Sequence, residues 1–407
     1  MKQMQRLHEI GRLFNQLIIY RALKQEPLIE ELLQTLEDIE EPADIWLLSG
    51  WYGALLEQFP HSQNPWADYL YNLVSNNENY LSLACERGEY PNLSANIISA
   101  AQSDLRNIAQ LMNWNPNLSF NAAGNPKDEI HWIQPDPALH GLTLKELAEI
   151  YKKGSGLFGK YASFTWQSVE QWLKPVEAPD PVTFSDLIGI DYQKNILLQN
   201  TIQFIKGYPA NNMLLYGDRG TGKSSMIKAL CNWFAAAGLR VIEVNKDDLD
   251  DFSIIIGLLR ERGLKFILYV DDLSFEPGEV HYKHLKAVLE GGLEIKPANV
   301  LIYATSNRRH LVKETFNDRE EDVHGNDAVQ ERLSLADRFG ITLTFSTPNQ
   351  AEYLEIARGL AEQSGISLPQ NELENRAIQW AIQHNGRSGR TAKQFVNQLQ
   401  GELATNK

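Results

Sequence analysis

From residue 184 onward, short apolar runs alternate with stretches of helical spacing. Runs at 213–216, 239–244, 265–270, 300–305 and 341–345 predict strands, and their nearly unbroken apolar character suits strands covered on both faces. Strands that alternate with helices predict a parallel sheet with crossover connections. Residues 349–404 carry helical spacing only and predict a small C-terminal lid. The front of the chain also predicts helices. Leu7, Ile10, Phe14, Leu17 and Ile18 recur at helical spacing, as do Ile29, Leu32, Leu33 and Leu36. A cluster of Trp46, Trp51 and Tyr52 follows, and Pro65, Pro91, Pro116 and Pro126 break the next segments. Asn-rich patches at 76–79 and 113–117 predict turns. Seven of the nine tryptophans lie by residue 172, and at such spacing they read as core rather than as a binding surface. The expected organisation is a mainly helical N-terminal domain at 1–153, a connector at 154–183, an α/β domain at 184–347 and a helical lid at 348–407.

Within the connector, residues 154–159 form a Gly-x-Gly-x-x-Gly pattern. Its surroundings differ from those of a dinucleotide site, because helical spacing precedes it and no clear helix follows. It reads as a flexible aromatic connector, and Pro175, Pro179 and Pro181 continue it as a linker.

Composition narrows the function classes. At 407 residues, 43% hydrophobic and 22% charged, the chain has the make-up of a globular protein of two or three domains. No apolar run approaches the roughly 20 residues of a membrane span. The first residues carry charges through what would be the apolar part of a signal peptide. Two cysteines, Cys85 and Cys231, argue against a disulfide scaffold or structural zinc and suit a reducing cytoplasm, the expected location. The net charge is −14, and residues 1–180 account for −10 of it (13 Lys and Arg against 23 Asp and Glu). An acidic front half is a poor general clamp for phosphate backbones, so a protein client is favoured over nucleic acid.

The candidate chemistry begins at Gly217-Asp218-Arg219-Gly220-Thr221-Gly222-Lys223-Ser224, directly after the first apolar run. This Gly-x-x-x-x-Gly-Lys-Ser pattern is a phosphate-binding loop between a strand and a helix. Gly217, Gly220 and Gly222 let the backbone turn so that successive N–H groups line one anion-sized hollow. The helix beginning near Lys223 adds its positive end. Lys223 is expected at the β- and γ-phosphates of a nucleoside triphosphate, and Ser224 is expected to ligate Mg²⁺.

Asp271 and Asp272 end the run at 265–270, where Asp271 can hold Mg²⁺ and Asp272 can polarise an attacking water. Glu276 is an alternative base. Asn307 follows the 300–305 run and can orient that water. Arg338, with Arg332 as the alternative, precedes the last run and can project toward a neighbouring subunit's γ-phosphate. In the lid, Arg390, with Arg387 in reserve, can sense the γ-phosphate from its own chain.

This ordered set over 184–400 resembles the AAA+ ATPase module, and in particular the bacterial AAA+ ATP-binding proteins of unknown function with a helical N-terminal region. The resemblance covers more than half of the chain when residues 154–166 are included. It implies that Ile188 and Gly189, in the segment Phe184-Ser185-Asp186-Leu187-Ile188-Gly189, contact adenine. It also implies ATP and Mg²⁺ as cofactors, with Ser225 among the nucleotide contacts. Many relatives carry the longer Glu at the position of Asp272. The expected fold is an α/β AAA+ module with a five-stranded parallel sheet and a helical lid. The expected function is ATP hydrolysis that remodels a protein or nucleoprotein partner. A site split between subunits implies a homo-oligomeric ring or filament. The alternatives are a DNA-associated loader or initiator and an ATP-dependent switch with little hydrolysis. Arg308, Arg309 and His310 form the compact basic cluster that a DNA role would use.

Overall fold

The computed structural model describes residues 2–114, 142–275, 281–290, 297–307, 335–384 and 386–405. They fall into two compact units, Met1–Lys160 and Tyr161–Lys407. Arg332, Glu276, Arg308, Arg309, His310, Pro116 and Pro126 lie outside the described residues.

The first unit is helical: α1 (Lys2–Asn15), α2 (Pro27–Asp38), α3 (Leu48–Gln58), α4 (Pro65–Ser75), α5 (Tyr80–Glu86), α6 (Ala95–Met112), α7 (Leu144–Tyr151) and the single turn α8 (Leu157–Lys160). Polar residues start these helices by taking up otherwise unpaired N–H groups. Asn64 accepts from Ala67, and reciprocal capping boxes open α5 (Asn79 with Ser82) and α7 (Thr143 with Glu146). In the core, Trp51 stacks on Trp114 at 5.8 Å and meets Trp66 edge-on at 5.5 Å. The indole N–H groups of the latter pair are satisfied: Trp51 donates to the Leu28 carbonyl and Trp66 to the Leu111 carbonyl, both at 2.8 Å. Trp46 is exposed, so the aromatic cluster read from the sequence is only partly core.

The Gly-x-Gly-x-x-Gly stretch anchors to this unit. Ser155 donates its N–H and its hydroxyl to Glu86 Oε1, both at 2.8 Å, and Gly156 N–H donates to the Asn76 carbonyl at 2.8 Å. Gly156 has φ +58°, and a Cβ there would collide with Glu78. These glycines serve close packing, and the segment is a fastened turn rather than a flexible one.

The second unit is built on one sheet. Its strands are β1 (Ser163–Gln167), β2 (Trp172–Pro175), β3 (Met213–Gly217), β4 (Leu239–Glu243), β5 (Lys265–Val270), β6 (Val300–Ser306) and β7 (Ile341–Phe345). They lie in the order β2-β1-β4-β5-β6-β3-β7, parallel throughout except for the antiparallel β1–β2 pair. The five expected parallel strands are joined by two more from the segment read as a connector. In β1 the buried Phe164 and Trp166 alternate with half-buried neighbours, a period of two over only five residues.

Between the strands run α9 (Asp191–Ile205), α10 (Lys223–Phe234), α11 (Phe252–Arg260) and α12 (His281–Glu290). One sheet face packs Met213, Leu215, Val241, Ile267 and Tyr303 against Met226, Ile227 and Leu230 of α10. The lid follows as α13 (Gln350–Gln363), α14 (Gln370–Gln383) and α15 (Gly389–Thr405), with its own core of Tyr353, Leu360, Phe395, Val396 and Leu399. Ile188 packs against that core, so the segment before α9 joins sheet and lid. This is an AAA+-like α/β module with a helical lid, preceded by a helical N-terminal unit.

Candidate functional site

Because β3 lies between β6 and β7 while the chain passes from β3 out to β4, the strand order switches direction beside β3. Ligands of open α/β sheets bind at such a switch, outside the carboxyl ends of the strands. The ends of β3, β5 and β6 open there into a cleft of ≈1030 Å³. Its walls include Ile188, Gly189, residues 219–225, Asp271, Asp272, Asn307 and Arg390.

The loop at 217–222 turns through three glycines with φ of +141°, +76° and +98° at Gly217, Gly220 and Gly222. A Cβ at Gly217 would collide with the Phe345 carbonyl of β7. Gly222 caps α10, whose first N–H groups have no partner within the helix. Asp218 is not among the lining residues of the cleft, and its carboxylate accepts from the Thr347 N–H at 2.8 Å and the Thr347 hydroxyl at 2.6 Å. Those bonds, with the charge of Lys223, hold its pKa below the ordinary value.

Lys223 is buried and donates to the carbonyls of Gly217 (2.8 Å) and Asp218 (2.7 Å) and to Asn307 Oδ1 (3.1 Å). Desolvation lowers its pKa, against the opposing pull of Asp272, Asp218 and Asp271. The ammonium is therefore held by neutral acceptors and carries a desolvation cost, a setting that an anionic ligand relieves.

Asp271 receives three hydroxyls on Oδ1: Thr305 at 2.5 Å, Tyr269 at 2.6 Å and Ser224 at 2.8 Å. Burial would raise its pKa, but these donors and the Asp272 backbone amide outweigh it, and the carboxyl lies below its ordinary value. The Ser224–Asp271 pair suits a hard cation that takes a few protein oxygens and fills its shell from water and phosphate. Among the described residues there is no cluster of three His, Cys, Asp or Glu able to hold a metal by itself. The donor set thus fits Mg²⁺ bound together with a nucleotide.

Asp272 adopts φ +49°, left-handed for a non-glycine residue. Such a conformation costs on the order of 1 kcal/mol or more and persists where neighbours hold it. Here the Asp272 N–H donates to the Thr305 hydroxyl at 2.9 Å and the Leu273 N–H to the Thr305 carbonyl at 2.7 Å. Asn307 Nδ2 donates to Asp272 Oδ1 at 2.5 Å.

The structure gathers Lys223, Ser224, Asp271, Asp272 and Asn307 into one hydrogen-bonded cluster. The lid reaches the same cleft, where Arg390 N–H donates to the Gly220 carbonyl at 3.2 Å. Arg387 is not among the lining residues. Arg338 is not in the cleft either; its guanidinium pairs with Glu290 of α12, not with the adjacent Asp337. Sequence reasoning missed Tyr269 and Thr305. Each lies two residues before a recognised site residue, on the same strand face, and that spacing was the available signal. Glu352, Lys393 and Gln394 of the lid also line the cleft, and no motif marks them.

A segment of 71 residues is 38% identical to the replication factor C large subunit of Nanoarchaeum equitans (strain Kin4-M), covering 17% of this chain and 16% of that protein. The structure of the Thermotoga maritima RuvB Holliday junction branch migration motor matches with TM-score 0.39 and 17% identity, over 55% of this chain and 66% of that one. The chain therefore spans less than two thirds of the length of either relative. A point mutant of the same motor gives TM-score 0.39 at 16% identity, with the same coverage of 55% and 66%. Over residues 159–403, more than half of its length, the chain matches the family described as a protein of unknown function (DUF815), and it belongs to that family.

Proposed function

We propose that this chain is a Mg²⁺-dependent ATPase whose cycle drives the remodelling of a macromolecular partner. The carrying observation is the Lys223–Asn307–Asp272 hydrogen-bonded chain lying beside the Ser224–Asp271 pair in one cleft. Lys223 binds the β- and γ-phosphates, with the backbone of residues 218–222 and Ser225 around them. Ile188 and Gly189 hold the adenine, against the lid. Asp272 takes the proton of the attacking water, and Asn307 aligns that water. Mg²⁺, held by Ser224 and Asp271, would neutralise phosphate charge. Arg390 contacts the γ-phosphate from the lid.

Arg338 supplies its guanidinium to the site of a neighbouring subunit, so the working form is a ring or filament. Mixing Lys223→Ala with Arg338→Ala protein tests this sharing. Each variant alone should lose turnover, and the mixture should regain a part of it, because some interfaces then join an intact Lys223 to an intact Arg338. Full activity in either single variant would sink the shared site.

A DNA-associated role is the second reading, favoured by the segment shared with a replication factor C large subunit. The acidic front half instead favours a protein client. Duplex DNA affinity measured against salt separates them: affinity that needs ATP and falls steeply with salt supports the DNA role. Salt-insensitive, ATP-independent retention of DNA, or none, supports a protein partner. A switch with little hydrolysis is excluded if steady turnover is abolished by Asp272→Asn.

A further inference from the structure

The charges lining the cleft are unevenly partnered. Its carboxylates outside the Lys223 cluster are occupied within the chain. Asp180 pairs with Lys228 at 3.1 Å, Asp186 accepts from Thr183, and Glu352 accepts from the Asn349 N–H at 2.8 Å. Three cations on the same walls, Arg219, Arg390 and Lys393, have no carboxylate partner among the described residues. Arg390 and Lys393 are three residues apart on α15, hence on one face, and both are exposed. The first turn of that helix sits directly on the phosphate-type loop, since a Cβ on Gly389 would lie 3.4 Å from the Gly220 carbonyl. The opposite face of α15, with Ala392, Phe395, Val396 and Leu399, is fixed in the lid core, so the helix cannot rotate to present other residues.

We infer that Lys393 is a second cation of the lid for the nucleotide's phosphate chain, acting one helical turn beyond Arg390. This rests on the reading of the cleft as a nucleotide site. The physical logic is charge balance: a triphosphate brings about four negative charges and Asp271 and Asp272 add about two, against about four positive charges from Lys223, a single divalent cation and Arg390, which leaves room for a further lid cation. Two lid cations in register make closure sensitive to the length of the phosphate chain. Gln394, beside Lys393, is uncharged and adds a hydrogen-bonding amide to the same wall.

The test compares the full-length protein with Lys393→Gln and Lys393→Arg for binding of a non-hydrolysable ATP analogue, ADP and adenosine, by calorimetry with Mg²⁺ present. Lys393→Gln should weaken the ATP analogue by about tenfold, the size of one charge-assisted hydrogen bond. It should weaken ADP less and leave adenosine unchanged, and Lys393→Arg should restore the loss. Melting temperature without nucleotide should not move, because the side chain is exposed. Unchanged affinity for the ATP analogue in Lys393→Gln overturns the inference, as does an equal loss for adenosine or no rescue by Lys393→Arg. If the wild-type protein binds no nucleotide, or Lys223→Ala binds it equally well, the reading of the cleft itself fails, and the two failures are distinguishable.

Discussion

Asn307 joins Lys223 to Asp272 with its two ends: its carbonyl oxygen accepts from the lysine at 3.1 Å and its amide nitrogen donates to the carboxylate at 2.5 Å. The amide therefore sets the spacing of the residue proposed to bind phosphate and the residue proposed to act as base. Asn307→Ala should lower turnover at saturating ATP by about 10²-fold, the scale of losing one preorganised polar group. Nucleotide affinity should change little, because Lys223 keeps its two carbonyl acceptors. Phosphate release and equilibrium binding on the same preparation check the split. Equal losses in both would mean that Asn307 only supports the loop.

The pairing of Arg338 with Glu290 predicts an unequal set of stabilities. The guanidinium Nε of Arg338 is buried with no hydrogen-bond partner, so Glu290 is its main compensation. Glu290→Gln should cost about 1–2 kcal/mol in denaturant unfolding, since it leaves a half-buried cation poorly paired. Replacing both residues by Leu should cost less than Glu290→Gln alone. A double variant less stable than Glu290→Gln would contradict this account. If Arg338 also serves a neighbouring subunit, Glu290 must release it, and Glu290→Gln should reach half-maximal turnover at lower protein concentration.

The five parallel strands and the Gly217–Ser224 loop were legible because their signals are local. Buried strands read as apolar runs, and a loop that must turn at φ > 0 needs glycine at fixed spacings. The strands β1 and β2 were not legible. They are five and four residues long, and an antiparallel pair added to a sheet edge is stabilised by contacts from β4 that the local pattern does not carry. The partner of Arg338 was equally hidden: the fold brings Glu290 from the distant helix α12. Lys393 looks like any exposed lysine until the lid helix is seated on the loop. Tertiary placement, rather than residue type, gives Arg338 its partner and puts Lys393 on the wall of the cleft.

Two glycines of the loop should respond differently to the same methyl group. At Gly217 a Cβ would run into the backbone carbonyl of Phe345, which β3–β7 pairing fixes, and φ is +141°. Gly217→Ala should therefore destabilise the whole second unit by about 2 kcal/mol or more. At Gly220 the Cβ would lie 3.0 Å from the Ser388 hydroxyl and 3.3 Å from Arg390 Cβ, both in the lid. Gly220→Ala should fold, at a cost of about 1 kcal/mol for its φ of +76°, while loosening the lid. Hydrogen exchange should show faster exchange in residues 386–395 for Gly220→Ala with the sheet still protected. Uniform loss of protection in both variants would refute the distinction.

Asp218 gives the acid limb of stability a specific contribution. Its folded pKa is lowered chiefly by the Thr347 hydroxyl, then by the Thr347 N–H, with the charge of Lys223 adding to both. The ionised form is thus favoured in the folded state. The contribution is fully present above the ordinary value of 3.8 and disappears as pH falls through the depressed folded value. Asp218→Asn should melt below wild type at neutral pH, and the gap should close as the pH drops below that ordinary value. Thermal midpoints across this range for both proteins provide the check. A gap that persists in acid would show that Asp218 acts through packing, not charge. Because Thr347 lies in the connection from β7 into the lid, Asp218→Asn should also make the residue 347–349 segment easier to cleave by protease.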